Sequence, residues 1–251
     1  MIKLIASDMD VTLLNNNHDI DKETIDAIRE AEEAGIIFAI STGREYDSVK
    51  EVLDKHNIKA QCILSNGAEY RDEEGTILDI VNIDLETARR IIDTVDSKKF
   101  SARMFTNKGI FTTSTREEAL QEVINRTMSF NPELTENEAR EISENLRFFT
   151  ALQYINNLDE FFADNLEVRK FVAFHRDIEL IDEMKREISK IEGLAVASSF
   201  RDNIEITDIN AQKGIILEQV ATKLSIPREE VMILGDSFND YSMFEIFEET
   251  V

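Results

Sequence analysis

Apolar residues along the chain fall into two alternating patterns. Unbroken runs such as IKLIA (2–6), IIFAIST (36–42), QCILS (61–65) and VMILG (231–235) predict strands covered on both faces. Between them, apolar residues recur three and four positions apart, the spacing of an amphipathic helix. In DKETIDAIREAEEAG (21–35), Ile25, Ile28, Ala31 and Ala34 share one face. Asp21 stands where an N-cap belongs and Gly35 where a helix stops. EYDSVKEVLDKHNI (45–58) repeats the helical pattern, and the stretch from Gln61 adds a turn at Asn66-Gly67 and a hairpin around Glu74-Gly75. Strand, helix, strand, helix, strand implies a parallel sheet with right-handed crossovers.

The middle of the chain changes character. Helical patterns at 84–99, 116–129, 135–149 and 177–191 alternate with strand patterns at 100–106, 109–113, 166–175 and 193–200, the first two closing around Asn107-Lys108-Gly109. Hairpins mixed with helices read as an α+β insertion. The first pattern then returns: a strand at NIEITD (203–208), a helix opening near Lys213, the strand ending at Gly235-Asp236, and a short helix over 240–249. The expected architecture is α/β, a doubly wound, Rossmann-like parallel-sheet core assembled from residues 1–82 and 201–251, with an α+β domain (83–200) inserted between.

Composition narrows the functions open to such a chain. Its 251 residues are 42 % apolar with only two prolines, so a large core can form. The excess of 51 acidic over 28 basic residues gives a formal net charge of −23, which repels nucleic acid and anionic membrane. An anionic ligand would therefore need a local positive feature: a metal ion, a lysine or a helix N-terminus. One cysteine, Cys62, permits no internal disulfide, and no apolar run approaches the ~20 residues of a membrane span. A soluble, cytoplasmic protein, a monomer or weak homo-oligomer, is expected.

In an open parallel sheet, ligands lie beyond the carboxyl ends of the strands. Polar clusters follow predicted strands here at Asp8-Met9-Asp10-Val11-Thr12, at Ser41-Thr42-Gly43-Arg44, before Lys213, and at Gly235-Asp236-Ser237-Phe238-Asn239-Asp240. Carboxylates gathered at one edge without histidine or cysteine favour a hard cation such as Mg²⁺. Ser41-Thr42-Gly43, expected to open a helix, suits an oxyanion, and Lys213 at a helix start runs against the dipole preference. Each cluster alone is equally well a solvated loop, an N-cap or a surface lysine. Their joint occurrence in this order is what points to chemistry.

Taken together, DMDVTLL (8–14), ISTGR (40–44), SNGA (65–68), QKG (212–214) and GDSFNDYSMF (235–244) resemble the motifs of the haloacid dehalogenase superfamily, in particular its Cof-type sugar-phosphate phosphatases with a large α/β cap. The resemblance implies an Mg²⁺-dependent phosphatase of a small phosphorylated metabolite, with Asp8 as nucleophile and Asp10 as general acid and then base. It places Mg²⁺ on Asp8, the backbone carbonyl of Asp10 and Asp236, supported by Asp240 and Asn239. Ser41 and Lys213 would bind the phosphoryl oxygens, and Thr42, Gly43, Arg44, Asn66 and Gly67 would line the site. Arg103, Thr106, Asn107 and His175 are the candidates for substrate selection on the inserted domain.

Two features depart from the family pattern. Val11 replaces the usual glycine of DxDGT, which adds bulk and restricts φ beside Asp10. Relatives continue for roughly another strand and helix beyond GDSFND, whereas this sequence stops at Val251, so either a truncated C-terminus or an open sheet edge is expected. A phosphomutase on the same scaffold and a non-catalytic phosphate-binding protein are the alternative readings.

Overall fold

The computed structural model describes residues 1–15, 17–98, 100–162 and 165–251; the last residue of the helix expected at 84–99 lies outside them. In chain order the strands are β1 (Leu4–Ser7), β2 (Ile37–Ser41), β3 (Gln61–Leu64), β4 (Glu69–Arg71), β5 (Ile77–Ile80), β6 (Ser101–Thr106), β7 (Gly109–Thr112), β8 (Gln153–Tyr154), β9 (Val168–Phe174), β10 (Leu194–Ala197), β11 (Asn203–Asp208), β12 (Val231–Leu234) and β13 (Glu249–Thr250). The helices are α1 (Lys22–Glu33), α2 (Tyr46–His56), α3 (Leu85–Ser97), α4 (Arg116–Phe130), α5 (Glu136–Asn145), α6 (Arg147–Thr150), α7 (Leu158–Phe162), α8 (Ile178–Ile188), α9 (Lys213–Lys223) and α10 (Tyr241–Ile246). The chain forms two units, residues 1–81 with 207–251, and residues 82–206.

In the first unit, seven strands run in the order β13-β12-β1-β2-β3-β4-β5. β1 lies between β12 and β2, parallel to both, with Ser7 level with Leu234 on one side and Ile40 on the other. The loops that leave β1, β2 and β12 therefore emerge side by side at one edge of the sheet. Side chains alternate across it, as the pleat requires. Leu4, Ala6, Ala39 and Ile63 pack with Ile216, Leu217 and Val220 of α9, whereas Phe38, Ile40, Cys62 and Leu64 pack with Ile28 of α1 and Val49 and Leu53 of α2. Helices on both faces make this core doubly wound, as the run-and-helix pattern implies.

The second unit is a six-stranded, largely antiparallel sheet in the order β10-β11-β9-β6-β7-β8. On one side, Ile91, Ile92 and Val95 of α3 and Ile181, Met184 and Ile188 of α8 meet Met104, Phe171 and Ile204. A second cluster joins Leu120, Val123 and Ile124 of α4 and Ala139 of α5 to Ile110 and Phe149. Thr115 and Thr135 start α4 and α5 with reciprocal capping boxes to Glu118 and Glu138, leaving few orphan N–H groups at those termini.

Local departures from the pattern have local causes. The helix expected over 135–149 breaks at Leu146, whose ψ of 130° is extended. Asp21 occupies the N-cap of α1 but makes no capping bond; its carboxylate instead accepts from Asn15 Nδ2 at 2.8 Å. The helix expected to run to 249 stops at Ile246, and residues 249–250 pair with β12 as β13. A two-residue strand and the one-turn helix α7 are too short to carry a period that a sequence can reveal.

Candidate active site

β1 ends at Ser7, and Asp8 continues the ladder by donating its N–H to Leu234 O at 2.8 Å. That bond fixes the backbone at the sheet edge and leaves the Asp8 side chain buried. Lys213, the first residue of α9, is wholly buried and donates from Nζ to Asp8 Oδ1 at 2.5 Å and to Asp240 Oδ1 at 2.6 Å. The other oxygen of Asp240 accepts the N–H groups of Asp236 and Ser237, both at 3.1 Å. Asp236 in turn accepts from Thr12 Oγ1 at 3.0 Å. Residues separated by more than two hundred positions thus form one network.

The position of Lys213 depends on close backbone approach. A Cβ on Gly214 would lie 2.1 Å from Ser242 O, so only glycine lets α9 lie against the start of α10. On the opposite side Gly67, with a φ of +102°, brings the 65–67 turn against the Gln212 backbone, where a Cβ would stand 2.9 Å away. That turn is also tied to the loop after β2. Asn66 N–H donates to Thr42 O and Ser65 N–H to Arg44 O, both at 3.0 Å, and Asn239 Nδ2 reaches Asn66 Oδ1 at 3.5 Å.

Burial sets the electrostatics. It pushes the Asp8 carboxyl up to about 6; the Lys213 ammonium opposes that rise and the neighbouring Asp240 adds to it. Burial also pulls Lys213 down, but Asp8 and Asp240 beside it outweigh the loss and hold it above the ordinary lysine range. Lys213 is therefore a fixed positive charge at neutral pH. Ser41 at the end of β2 is fully buried, and its hydroxyl has no hydrogen-bond partner among the described residues. An orphaned buried hydroxyl beyond the end of a parallel strand is a group waiting for an acceptor.

Asp8, Asp236 and Asp240 each offer a carboxylate oxygen within 4.8 Å of the others. An all-oxygen donor set with no nitrogen or sulfur fits a hard divalent ion. Asp240 has both oxygens engaged by protein donors, whereas Asp8 and Asp236 each have one so engaged. One or two carboxylates completed by water and phosphate oxygens is the coordination Mg²⁺ prefers.

Asp10 is placed apart from these three. Its carboxylate is clasped by Arg44, Nε to Oδ2 at 2.9 Å and Nη2 to Oδ1 at 2.5 Å. The backbone makes a wide turn over Met9–Leu13, and Val11 takes the left-handed conformation (φ 67°, ψ −13°) that the family glycine would adopt without strain. Its side chain points to solvent, which is why a β-branched residue fits there sterically. Ser41 and Gly43 do not open a helix directly, because α2 begins only at Tyr46. Gly43 lies in the intervening loop between Thr42, which is buried, and Arg44.

Thr12 and Ser237 also join the network, through Asp236 and Asp240; the alternation Asp8, Asp10, Thr12 and the serine after Asp236 are the sequence signals that mark them. In the second unit, Thr106 closes the β6–β7 turn, Asn107 donates to Asn165 O and accepts from Glu167 N–H, His175 Nδ1 accepts from Asp177 N–H, and Arg103 pairs with Glu122. All four thus have structural partners within that unit.

A family description, haloacid dehalogenase-like hydrolase, matches residues 5–251. Phosphatase YwpJ of Bacillus subtilis is 33 % identical over 246 residues, covering 97 % of this chain and 86 % of that protein. The 5-amino-6-(5-phospho-D-ribitylamino)uracil phosphatase YwtE of the same organism is 30 % identical, covering 98 % and 85 %. A solved haloacid dehalogenase-like hydrolase from B. subtilis superimposes with a TM-score of 0.85 at 31 % identity, covering 99 % of this chain and 88 % of its own. The chain belongs to the haloacid dehalogenase-like hydrolases, in the Cof-type group of phosphoric monoester hydrolases. A haloacid dehalogenase-superfamily phosphatase from Bacteroides thetaiotaomicron, 20 % identical with a TM-score of 0.75, shares the fold.

Proposed function

We propose that the chain is an Mg²⁺-dependent phosphatase of small phosphomonoesters, sugar phosphates or similar metabolites, working through an aspartyl-phosphate on Asp8. The supporting observation is the buried Asp8 carboxylate held by Lys213 next to Asp236 and Asp240, at the carboxyl ends of parallel strands.

A carboxylate approaches a phosphate dianion only where their repulsion is screened. Mg²⁺ on Asp8, Asp236 and the Asp10 carbonyl would supply part of that screening and hold a phosphate oxygen. Lys213, charged and immobile, supplies the rest, and the Ser41 hydroxyl donates to a second phosphate oxygen. Thr42, Gly43, Asn66 and Gly67 shape the wall, with Asn239 bracing Asn66. The free oxygen of Asp8 attacks phosphorus as the ester P–O bond breaks, and Asp10 gives its proton to the departing alcohol oxygen. Asp10 then takes a proton from water, whose oxygen attacks phosphorus and restores the Asp8 carboxylate. Arg44 must release Asp10 for this, so the clasp marks a resting arrangement, and phosphate or substrate oxygens are natural substitutes for Asp10 on the arginine fork.

Hydrolysis of p-nitrophenyl phosphate tests the reading. Turnover is expected to need Mg²⁺, to stop with EDTA, and to fall on the order of 10³-fold or more in Asp8→Asn with the fold intact by circular dichroism. Undiminished activity in Asp8→Asn rejects the nucleophile assignment.

A further inference from the structure

The charged site lies deep, and the loops around it end in hydrocarbon. Asp8, Ser41 and Lys213 are buried at the base of loops that leave the sheet edge. The same loops carry large apolar side chains that the fold leaves in solvent: Val11 (74 % exposed) after β1, Phe238 (81 %) after β12, and Ile209 (44 %) between β11 and α9. None of the three belongs to an apolar core cluster among the described residues.

One exposed apolar residue is ordinary. Here one stands on each of three loops that supply the charged groups, and hydrogen bonds tie these residues' neighbours into the site. Thr12, next to Val11, donates to Asp236, two positions before Phe238, at 3.0 Å. On either side of Phe238, Ser237 N–H donates to Asp240 and Asn239 Nδ2 reaches Asn66. Ile209 O accepts from Gln212 Nε2 at 2.8 Å, and Gln212 immediately precedes Lys213. Val11 also holds its hydrocarbon at φ 67°, where glycine would be unstrained.

A phosphoryl group seated on Asp8 and Lys213 leaves its alcohol portion to extend outward, towards the level of these loop crests. An alkyl or aryl group there covers Phe238 and Val11 and takes their surface out of water. A polyhydroxyl sugar against the same side chains loses water and gains no hydrogen bond from them. We propose that Phe238 and Val11, with Ile209, form an apolar rim that favours phosphomonoesters whose leaving alcohol presents a hydrocarbon face, alkyl or aryl, over polyhydroxyl sugars. The proposal rests on the phosphatase reading for the seat of the phosphoryl group and narrows the substrate class within it.

Two measurements on the full chain test it, one of binding and one of turnover. In calorimetry with Mg²⁺ present, wild type is expected to bind benzylphosphonate roughly tenfold or more tighter than methylphosphonate. Phe238→Ser is expected to lose most of that preference, and Phe238→Leu, which restores an apolar side chain, to keep it within about threefold of wild type. In turnover, benzyl phosphate is compared with glucose 6-phosphate, because both are esters of primary alcohols and make similar demands on an acid. The ratio of their kcat/KM values is expected to favour benzyl phosphate and to fall roughly tenfold in Phe238→Ser, with a smaller fall in Val11→Gly. The proposal is overturned if neither phosphonate binds, if wild type shows no preference, or if Phe238→Ser keeps the preference. It is also overturned if Phe238→Ser weakens both phosphonates equally, or if Phe238→Leu loses the preference as fully as Phe238→Ser. A phosphonate preference without hydrolysis of either ester removes the phosphatase reading and leaves the rim as a selector of ligands. Hydrolysis of both esters without preference removes the rim and leaves the phosphatase reading.

Discussion

At the scale of single residues, Val11 is the clearest conflict between a side chain and its backbone. A β-branched residue at φ 67° carries a cost of roughly 1–2 kcal/mol, part of which glycine would return as unfolded-state entropy. Val11→Gly is therefore expected to stabilise the protein by about 1 kcal/mol or less, read as a higher urea midpoint at unchanged slope. Asp19 supplies the pH dependence. The hydrogen bond from Lys55, and then that from His56, holds its carboxyl down at about 2, below the ordinary 3.8. Its stabilisation is fully present above about pH 4 and is lost as the pH falls towards 2. The gap in urea midpoint between wild type and Asp19→Asn is expected to be narrower at pH 3 than at pH 6.

At the scale of elements, the contact between α9 and α10 decides where Lys213 stands. Gly214→Ala sets a methyl 2.1 Å from Ser242 O, a backbone atom that cannot swing aside. A loss of about 1–3 kcal/mol is expected from this overpacking, together with reduced activity because α9 carries Lys213 at its first position. A denaturation curve measured alongside p-nitrophenyl phosphate turnover checks both. Most elements were legible because their signals are local. A buried parallel strand announces itself by an unbroken apolar run, and α1, α2, α3 and α8 by three-four spacing. The break at Leu146 and the strands β8 and β13 were not legible, because a single extended residue or a two-residue pairing is decided by what lies across from it.

At the scale of the whole molecule, a formal charge of −23 works against compaction. Raising NaCl from about 20 to about 200 mM in EDTA shortens the screening length from roughly 20 Å to roughly 7 Å. The melting temperature is expected to rise by about 2–4 °C, equivalent to roughly 1 kcal/mol for a chain of this size. A flat or falling melting temperature rejects self-repulsion as a significant term. Under the proposed phosphatase reading, the same acidic excess would leave an anionic substrate dependent on the buried Lys213, because the surrounding field offers it no attraction.

The sequence by itself determined most of the strands and helices and the loops in which the acidic, hydroxyl and lysine side chains fall, whereas the strand at 203–208, expected in the core, pairs with β9 in the second sheet. Elements and loops depend on runs, periods and breaks spanning a few residues, so they can be read without knowing the fold. Tertiary structure alone decided which carboxylate meets which cation. Asp8 and Asp10 sit two positions apart, yet one is tied to Lys213, 205 residues away, and the other to Arg44, 34 residues away. It also left the Ser41 hydroxyl without a hydrogen-bond partner among the described residues. The reason is physical: a side chain's direction follows from its own backbone angles, but its partner, its burial and its charge state follow from whatever distant segment the sheet brings alongside.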